Sequence, residues 1–361
     1  MSKFGVKFNK EKVESKGEDG EPVLLFSNTK NSGIISVFDG MGGAGATSYN
    51  NLNGKPISGA KISSSVVSQS VGEFFEKILI DPKFFDDIHS LQPNWLADLK
   101  KNINTSLENA KIDYNIKPSI IKSKLIKTLP TTIAGIYFQK NKNDFYDLYS
   151  FWSGDSRNYI LNLDESGLSL LSLDDLNKNL DAFQNLKSDA PLSNFINLDI
   201  DYKINLNIIK DIKPPFLLLS CTDGCFHYWN NPMEFEYNLL SIGEKQEFFK
   251  SEFYEELNFI LEKVAGDDFS YSIVLVDENN LNGEQLKKMF SKILKRRFPY
   301  YKYYKRKIDQ SMENFNLNES EKLDQKLIIS DDAYLKASSL LWEYYKIQFE
   351  KYIYELIKTE E

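Results

Sequence analysis

Cysteine and histidine are nearly missing from this chain, with two of each in 361 residues. Cys221 and Cys225 are too few for a disulfide framework, which points to a reducing compartment. His89 and His227 lie far apart in sequence and, even with the two cysteines, supply too few ligands for a comfortable zinc site. Arginine is scarce as well: Arg157, Arg296, Arg297 and Arg306 are all there is, and the remaining basic charge is lysine. No apolar run approaches the ~20 residues that a membrane span requires. The opening residues, Met1–Lys7, lack the apolar stretch of a secretory signal. A cytoplasmic location is therefore expected. The formal net charge of −8 argues against a protein that wraps nucleic acid with its whole surface.

What is present is the composition of a folded protein. The hydrophobic fraction is 42%, and the length suits one large domain plus an appendage, at roughly 100–200 residues per domain. Residues 1–277 alternate strand-like and helix-like stretches. Ile34–Phe38 is a short β-branched run that ends in Asp39-Gly40. Ile62–Leu79 carries a helical stripe of apolar residues, and Trp95–Tyr114 reads as a second helix. Strands are expected at Thr131–Gln139, Phe145–Trp152, Asn158–Leu161, Leu168–Ser172, Phe216–Ser220 and Tyr271–Val276. One helix is expected over Glu244–Val264. The polar stretch Leu173–Asp201 reads as a loop or flap. Past a turn-rich linker, residues 278–361 show no strand signal. Glu284–Phe298 reads as a helix broken by Pro299, and a longer helix is expected from near Ser330 or Asp331, with a stripe at Leu341, Tyr345, Phe349, Tyr352 and Leu356.

Aspartates beside glycines recur at the ends of the apolar runs: Asp39-Gly40-Met41-Gly42-Gly43, Gly154-Asp155-Ser156-Arg157, Thr222-Asp223-Gly224 and Gly266-Asp267-Asp268. An acidic pair, Glu18-Asp19, precedes the first. A strand end delivers a carboxylate to a fixed place, and a neighbouring glycine lets the backbone turn tightly beside a bound ion. Each such dipeptide alone is an ordinary turn. Several carboxylates converging at one rim would suit two magnesium or manganese ions, which prefer oxygen ligands.

The order of these motifs resembles the metal-dependent protein phosphatases of type 2C, the PPM family, and its bacterial members in particular. The resemblance covers roughly residues 10–277 and runs through Glu18-Asp19, Asp39–Gly43, Thr131-Thr132, Gly154–Arg157, Thr222–Gly224 and Asp267-Asp268. It implies an α+β fold: a four-layer α-β-β-α sandwich of two antiparallel sheets flanked by helix pairs. It also implies Mn2+ or Mg2+, two per site. Asp39 would bridge both ions. Glu18 and the carbonyl of Gly40 would contact one, and Asp223 and Asp267 the other. Asp155, with Asp223, would hold a third, weaker ion. The implied activity is hydrolysis of phosphoserine and phosphothreonine by an ion-activated water, with phosphorylated proteins as substrates and a cognate kinase as the enzyme's opponent.

The chain departs from the family pattern at three places. Met41 stands where many members have a histidine. Glu14 stands where the family has a phosphate-binding arginine, which leaves Lys16 or Lys12 as the substitute point charge. His227 stands where an aspartate is common. Asn50–Ser58 and Leu173–Asp201 are the loops expected to shape substrate choice. The C-terminal residues lie outside the resemblance. Their basic, aromatic stretch Lys292–Lys307 is expected to pack on the chain itself, with binding of nucleic acid or an acidic partner as the second reading. The helix past Asp331 is expected to pack on the chain's own core, with partner docking or dimerisation second. A catalytically weak, phosphatase-like module that binds phosphorylated partners is the alternative to an active enzyme. Hydrolysis of a small phosphorylated metabolite is a third possibility.

Overall fold

The computed structural model describes residues 2–29, 31–50, 54–80, 94–116, 126–164, 166–177, 181–186, 190–299 and 338–360. Two five-stranded sheets form its centre. In the first, β1 (Ser2–Lys10), β12 (Phe269–Asp277), β11 (Phe216–Cys221), β8 (Arg157–Asn162) and β9 (Gly167–Leu170) lie side by side in that order. In the second the order is β10 (Asn205–Ile212), β7 (Tyr146–Ser153), β6 (Ile133–Lys140), β3 (Ser32–Val37) and β2 (Val23–Phe26). Neighbouring strands within each of these sheets run antiparallel. A small ribbon of β4 (Ser48–Asn50) and β5 (Pro56–Ser58) stands apart. Ser2 pairs with Asp277, so the first strand lies along the last.

The runs without alternation are the ones buried on both faces. β11 and β12 are buried along their whole length. Between the sheets, Ile35, Ile136, Phe138 and Leu148 meet Ile160, Leu218, Val274 and Val276. The outer face of the second sheet is covered by α1 (Gly59–Ile80) and α2 (Asn94–Asp113), packed together with Ile34, Tyr137 and Phe151. In α1 the buried Ile62, Val67, Val71, Phe75 and Ile78 recur every three to five residues, with Phe74 buried beside them, the spacing of one helical face. Phe75 is central: its ring stacks on Tyr137 and Phe151 at 5.9 and 5.6 Å and meets Trp95 edge-on at 6.0 Å.

The first sheet is covered by α4 (Pro232–Lys245), α5 (Ser251–Val264) and α6 (Gly283–Arg297); α3 (Ala182–Asn185) is a single turn in the stretch after β9. Helical residues 338–349, α7, bury Trp342, Tyr345 and Phe349 in the same apolar cluster as α4 and the first sheet. A last helix, α8, covers Tyr354–Glu360. The layers are thus helix, sheet, sheet, helix, with C-terminal helices added, as the sequence implied.

The single helix expected over Glu244–Val264 is two. α4 ends at Lys245, and Gln246 turns extended so that Phe248 can bury its ring against Phe253 and Phe290 at 5.0 and 6.4 Å. The earlier part of α4 was missed, although Asn231 caps it by accepting from the Glu234 N–H at 3.1 Å and Pro232 opens it, an ordinary start signal. β1, β2 and β10 were also unanticipated. All three are edge strands: the apolar pattern of β1 and β10 is diluted by lysine, asparagine or glycine, and β2 is a run of only four residues, Val23–Phe26. His89, Tyr300–Lys307 and the expected helix start near Ser330 lie outside the described residues.

Phe75→Ala is expected to cost about 3–5 kcal/mol, the usual loss for a buried phenylalanine. Chemical unfolding followed by circular dichroism would measure it.

Candidate metal and phosphate site

The loops that carry the Asp-Gly motifs meet at one end of the two sheets. Asp39 follows β3. Its carbonyl accepts from the Thr131 hydroxyl at 2.6 Å and the Thr132 N–H at 2.8 Å, so β6 fixes it from below. Gly40 is buried beside it and bridges Thr131. Glu18 lies across this turn: a Cβ on Gly42 would stand only 1.9 Å from Glu18 Oε2. Position 42 must therefore be glycine for the carboxylate to lie there. The Glu18 backbone is held from two sides. Its N–H donates to Asp268 Oδ2 at 2.6 Å, and its carbonyl accepts from the Ser64 hydroxyl of α1 at 2.5 Å. Asp268 Oδ1 also accepts from the Lys12 N–H at 2.7 Å. Asp268 thus straps the N-terminal loop to the start of β12.

Asp155 follows β7 and precedes β8. Gly154 before it takes φ +108°, and a Cβ there would meet Thr132 at 2.6 Å, so only glycine is at ease. Asp223 opens a 3-10 turn after β11, and Asp267 sits exposed two residues before β12. Asp19 is buried, and its Oδ2 accepts from the Thr222 hydroxyl at 3.0 Å.

These carboxyls feel one another strongly. Burial, and then the charges of Asp223, Asp19, Asp155 and Asp267, hold the Asp39 carboxyl well above its ordinary range. Burial with Asp223 and Asp174 does the same to Asp155. Burial and Asp267 push Asp223 up to about 6, and the Asp39 carboxyl hydrogen-bonds to it. Burial with Asp223 and Asp268 pushes Asp19 up to about 8. Glu18 is raised by burial and by Asp268 and Asp267, with Lys61 opposing. Like charges crowded in a poorly solvated place favour protonation or a cation. All the donors are oxygens, a set that fits a hard divalent ion in chemistry. Among the described residues, however, no group of three or more His, Cys, Asp or Glu side chains converges closely enough to hold a metal ion as it stands.

The remaining sequence candidates have other placements. Lys16 is exposed on the loop ahead of Glu18. The Lys12 ammonium donates to the Ala265 carbonyl at 2.5 Å. Arg157 faces away from this role: it is buried, forks onto Asp174 at 2.8 and 2.6 Å, and lies 4.1 Å over the Phe226 ring. Cys221 and Cys225 are both buried and free, packed beside the Asp223 turn.

Four neighbours escaped sequence reasoning. Lys61, in the first turn of α1, donates from Nζ to the Asp19 carbonyl at 2.7 Å and opposes the charge of Glu18. Tyr228 stands against Gly266. Burial and the charges of Asp223, Asp267 and Asp39 push its phenol up to about 12. Asp174 and Asp175 tie the stretch after β9 to the Asp155 loop: Gly154 N–H donates to Asp175 Oδ2 at 2.9 Å, and Asp175 N–H to the Gly154 carbonyl at 3.0 Å. No motif marks these positions, because each is defined by a partner far along the chain.

No protein-family model matches this sequence, and no curated protein does. Solved structures do match. Serine/threonine phosphatase Stp1 from Staphylococcus aureus superposes with a TM-score of 0.53 at 16% identity, over 77% of this chain and 96% of that one. The serine/threonine phosphatase PstP/Ppp of Mycobacterium tuberculosis gives 0.52 at 14% identity, over 76% and 99%. A bacterial serine phosphatase gives 0.52 at 15% identity, over 77% and 99%. The chain therefore shares the fold of bacterial serine/threonine phosphatases, the fold that the motif resemblance implied. At these identities the likeness is one of fold.

Two outcomes follow from the crowded acids. An acid whose folded pKa is raised loses stability as pH climbs from its unfolded value through its folded one. With Asp223 near 6 and Asp19 near 8, the chelator-treated protein is expected to melt at lower temperature at pH 8 than at pH 5. Asp39→Asn is expected to raise the chelated melting temperature at pH 8. Differential scanning calorimetry in chelator reads both. In the same assay Arg157→Ala is expected to destabilise by roughly 3–5 kcal/mol, because Asp174 is left buried without its partner.

Proposed function

We propose that this chain is a divalent-metal-dependent phosphatase that hydrolyses phosphoserine and phosphothreonine in proteins. The observation that carries the reading is the carboxylate cluster at the sheet ends, delivered by the motifs in family order on the fold of solved serine/threonine phosphatases. Asp39, Asp223 and Asp267, with Glu18 and the Gly40 carbonyl, would hold two Mn2+ or Mg2+ ions, and Asp155 with Asp223 a third. Such ions, when bound, lower the pKa of a coordinated water and neutralise charge growing on phosphoryl oxygens.

The chain's own residues supply the rest. Thr131 and Thr132 fix the Asp39 backbone, and Thr222 orients Asp19. Lys61 at the base of the acidic pair and Lys16 on the open loop are the ammonium groups assigned to the phosphoryl oxygens, each as a point charge rather than a fork. Tyr228 forms a wall whose phenol stays protonated at neutral pH. Met41 offers no titrating group, so leaving-group protonation does not fall to position 41. A cytoplasmic location and a cognate kinase remain part of this reading. Among the described residues no helix is long and apolar enough to cross a membrane.

The test is hydrolysis of a phosphothreonine peptide and of an aryl phosphate with manganese, with chelator, and by Asp39→Asn. Turnover that needs the metal and falls about 10²–10³-fold in the variant, the usual scale for losing one electrostatic contact to developing charge, is the expected result. Lys61→Met and Lys16→Met should each raise KM. No turnover with any divalent metal, from folded protein, would leave the phospho-binding module as the better account.

A further inference from the structure

The C-terminal residues reach the candidate site through the stretch between β9 and β10. That stretch carries α3, which Asp181 caps: its Oδ1 accepts from the Phe183 and Gln184 N–H groups at 3.0 and 2.8 Å. The other oxygen of the same carboxylate accepts from the Trp342 indole N–H of α7 at 3.0 Å. The Trp342 ring also lies 6.0 Å from that of Phe183. Glu350, just past α7, accepts from the Ala182 N–H. One turn of helix is thus held to the C-terminal segment by two hydrogen bonds and an aromatic contact.

From α3 the connection continues inward. Asn185 donates to Asp174 Oδ2, and Asp174 takes the fork of Arg157. Asp174 in turn faces Asp155 and Asp223. The next residue, Asp175, clamps Gly154 from both sides. The links from α3 to Arg157 and from Asp175 to Gly154 are hydrogen bonds, and Asp174 acts on Asp155 and Asp223 through its charge.

The far end of the chain of contacts is anchored. The Tyr345 hydroxyl donates to the buried Glu236 Oε2 at 2.5 Å, which also takes Arg297 Nη2 at 3.0 Å. Gln348 presents its carbonyl to the Ser169 hydroxyl at 2.8 Å, and Phe349 lies 6.1 Å from Tyr159 of β8. A segment pinned at this many points is a fixed support, and an isolated four-residue helix has too few hydrogen bonds to stand alone.

We propose that Trp342 is a positioning residue: it sets α3, and with it the wall of the acidic site that a phosphorylated polypeptide must pass. The proposal rests on the phosphatase reading above. A small aryl phosphate reaches the acids without using this wall, whereas a peptide extends across it. The C-terminal segment then governs peptide recognition while leaving the chemistry of the acids alone.

Trp342→Phe keeps an aromatic ring, though a smaller one, and removes the N–H; Trp342→Ala removes both. Both are compared with wild type for the phosphothreonine peptide and the aryl phosphate, with melting temperatures alongside. The expected result is a peptide KM raised from about 2-fold to about 12-fold, the factor that one hydrogen bond of ordinary net strength carries, with kcat and the aryl phosphate constants unchanged. Amide hydrogen exchange at Phe183 and Gln184 should quicken in both variants, with the β11 amides unaltered. Equal kinetics on both substrates would overturn the proposal, as would a parallel fall on both that tracks the melting temperature. Should wild type hydrolyse neither substrate, the phosphatase reading fails by itself. The role of Trp342 in peptide recognition then falls with it, whereas unchanged exchange at Phe183 and Gln184 in an active enzyme would overturn the positioning role alone.

Discussion

Carboxylates repel, and this fold holds several of them together at one end of two sheets by gripping their backbones. Asp39 is fixed through its carbonyl by Thr131 and Thr132, and Glu18 through its N–H and carbonyl by Asp268 and Ser64. Gly154 is gripped on both sides by Asp175. Burial first, and then the neighbouring charges, raise the proton affinity of Asp39, Asp155, Asp223 and Asp19. Such an arrangement opposes folding unless protons or cations offset it. That crowding is what the proposed metal-dependent function draws on.

Everything else in the molecule serves that placement. The apolar layer between the sheets keeps β3 and β7 in one register and β8, β11 and β12 in another, so their ends stay aligned. α1 contributes more than burial: Ser64, Ser68 and Lys61 reach from its polar face to the carbonyls of Glu18, Glu21 and Asp19. A single helix thereby supports the second sheet and the acidic pair at once. On the opposite side Arg157 neutralises Asp174 in a buried fork, which makes it a brace for the Asp155 loop rather than a group for substrate.

The C-terminal segment lies outside the motif resemblance yet is joined to the rest by buried contacts. Trp342, Tyr345 and Phe349 share one apolar cluster with α4 and the first sheet. The sequence expectation that its aromatics pack on the chain's own core agrees with this for the described residues. The stripe read from spacing included Tyr345 and Phe349 but passed over Trp342 and Ile353, both nearly fully buried. A turn at residues 350–353 shifts the helical phase there, and a stripe drawn through one continuous helix cannot follow it.

The layered class of the fold came from the resemblance that the order of the strand-end motifs carries, while the sequence by itself determined those motifs, the two long helices α1 and α2 and most central strands. Those features rest on local periodicity and on Asp-Gly turns, which neighbours in sequence suffice to specify. The edge strands β1 and β10 were not legible, because they are half solvated and their apolar pattern is weak, and β2 was not because it is only four residues long. The break between α4 and α5 was hidden because Phe248 leaves the helix for a tertiary pocket. The roles of Lys61, Asp174, Asp268 and Trp342 were decided by tertiary structure alone. Each acts on a partner at least 17 residues away, and no spacing rule in a single sequence connects residues that meet only when two sheets close on each other.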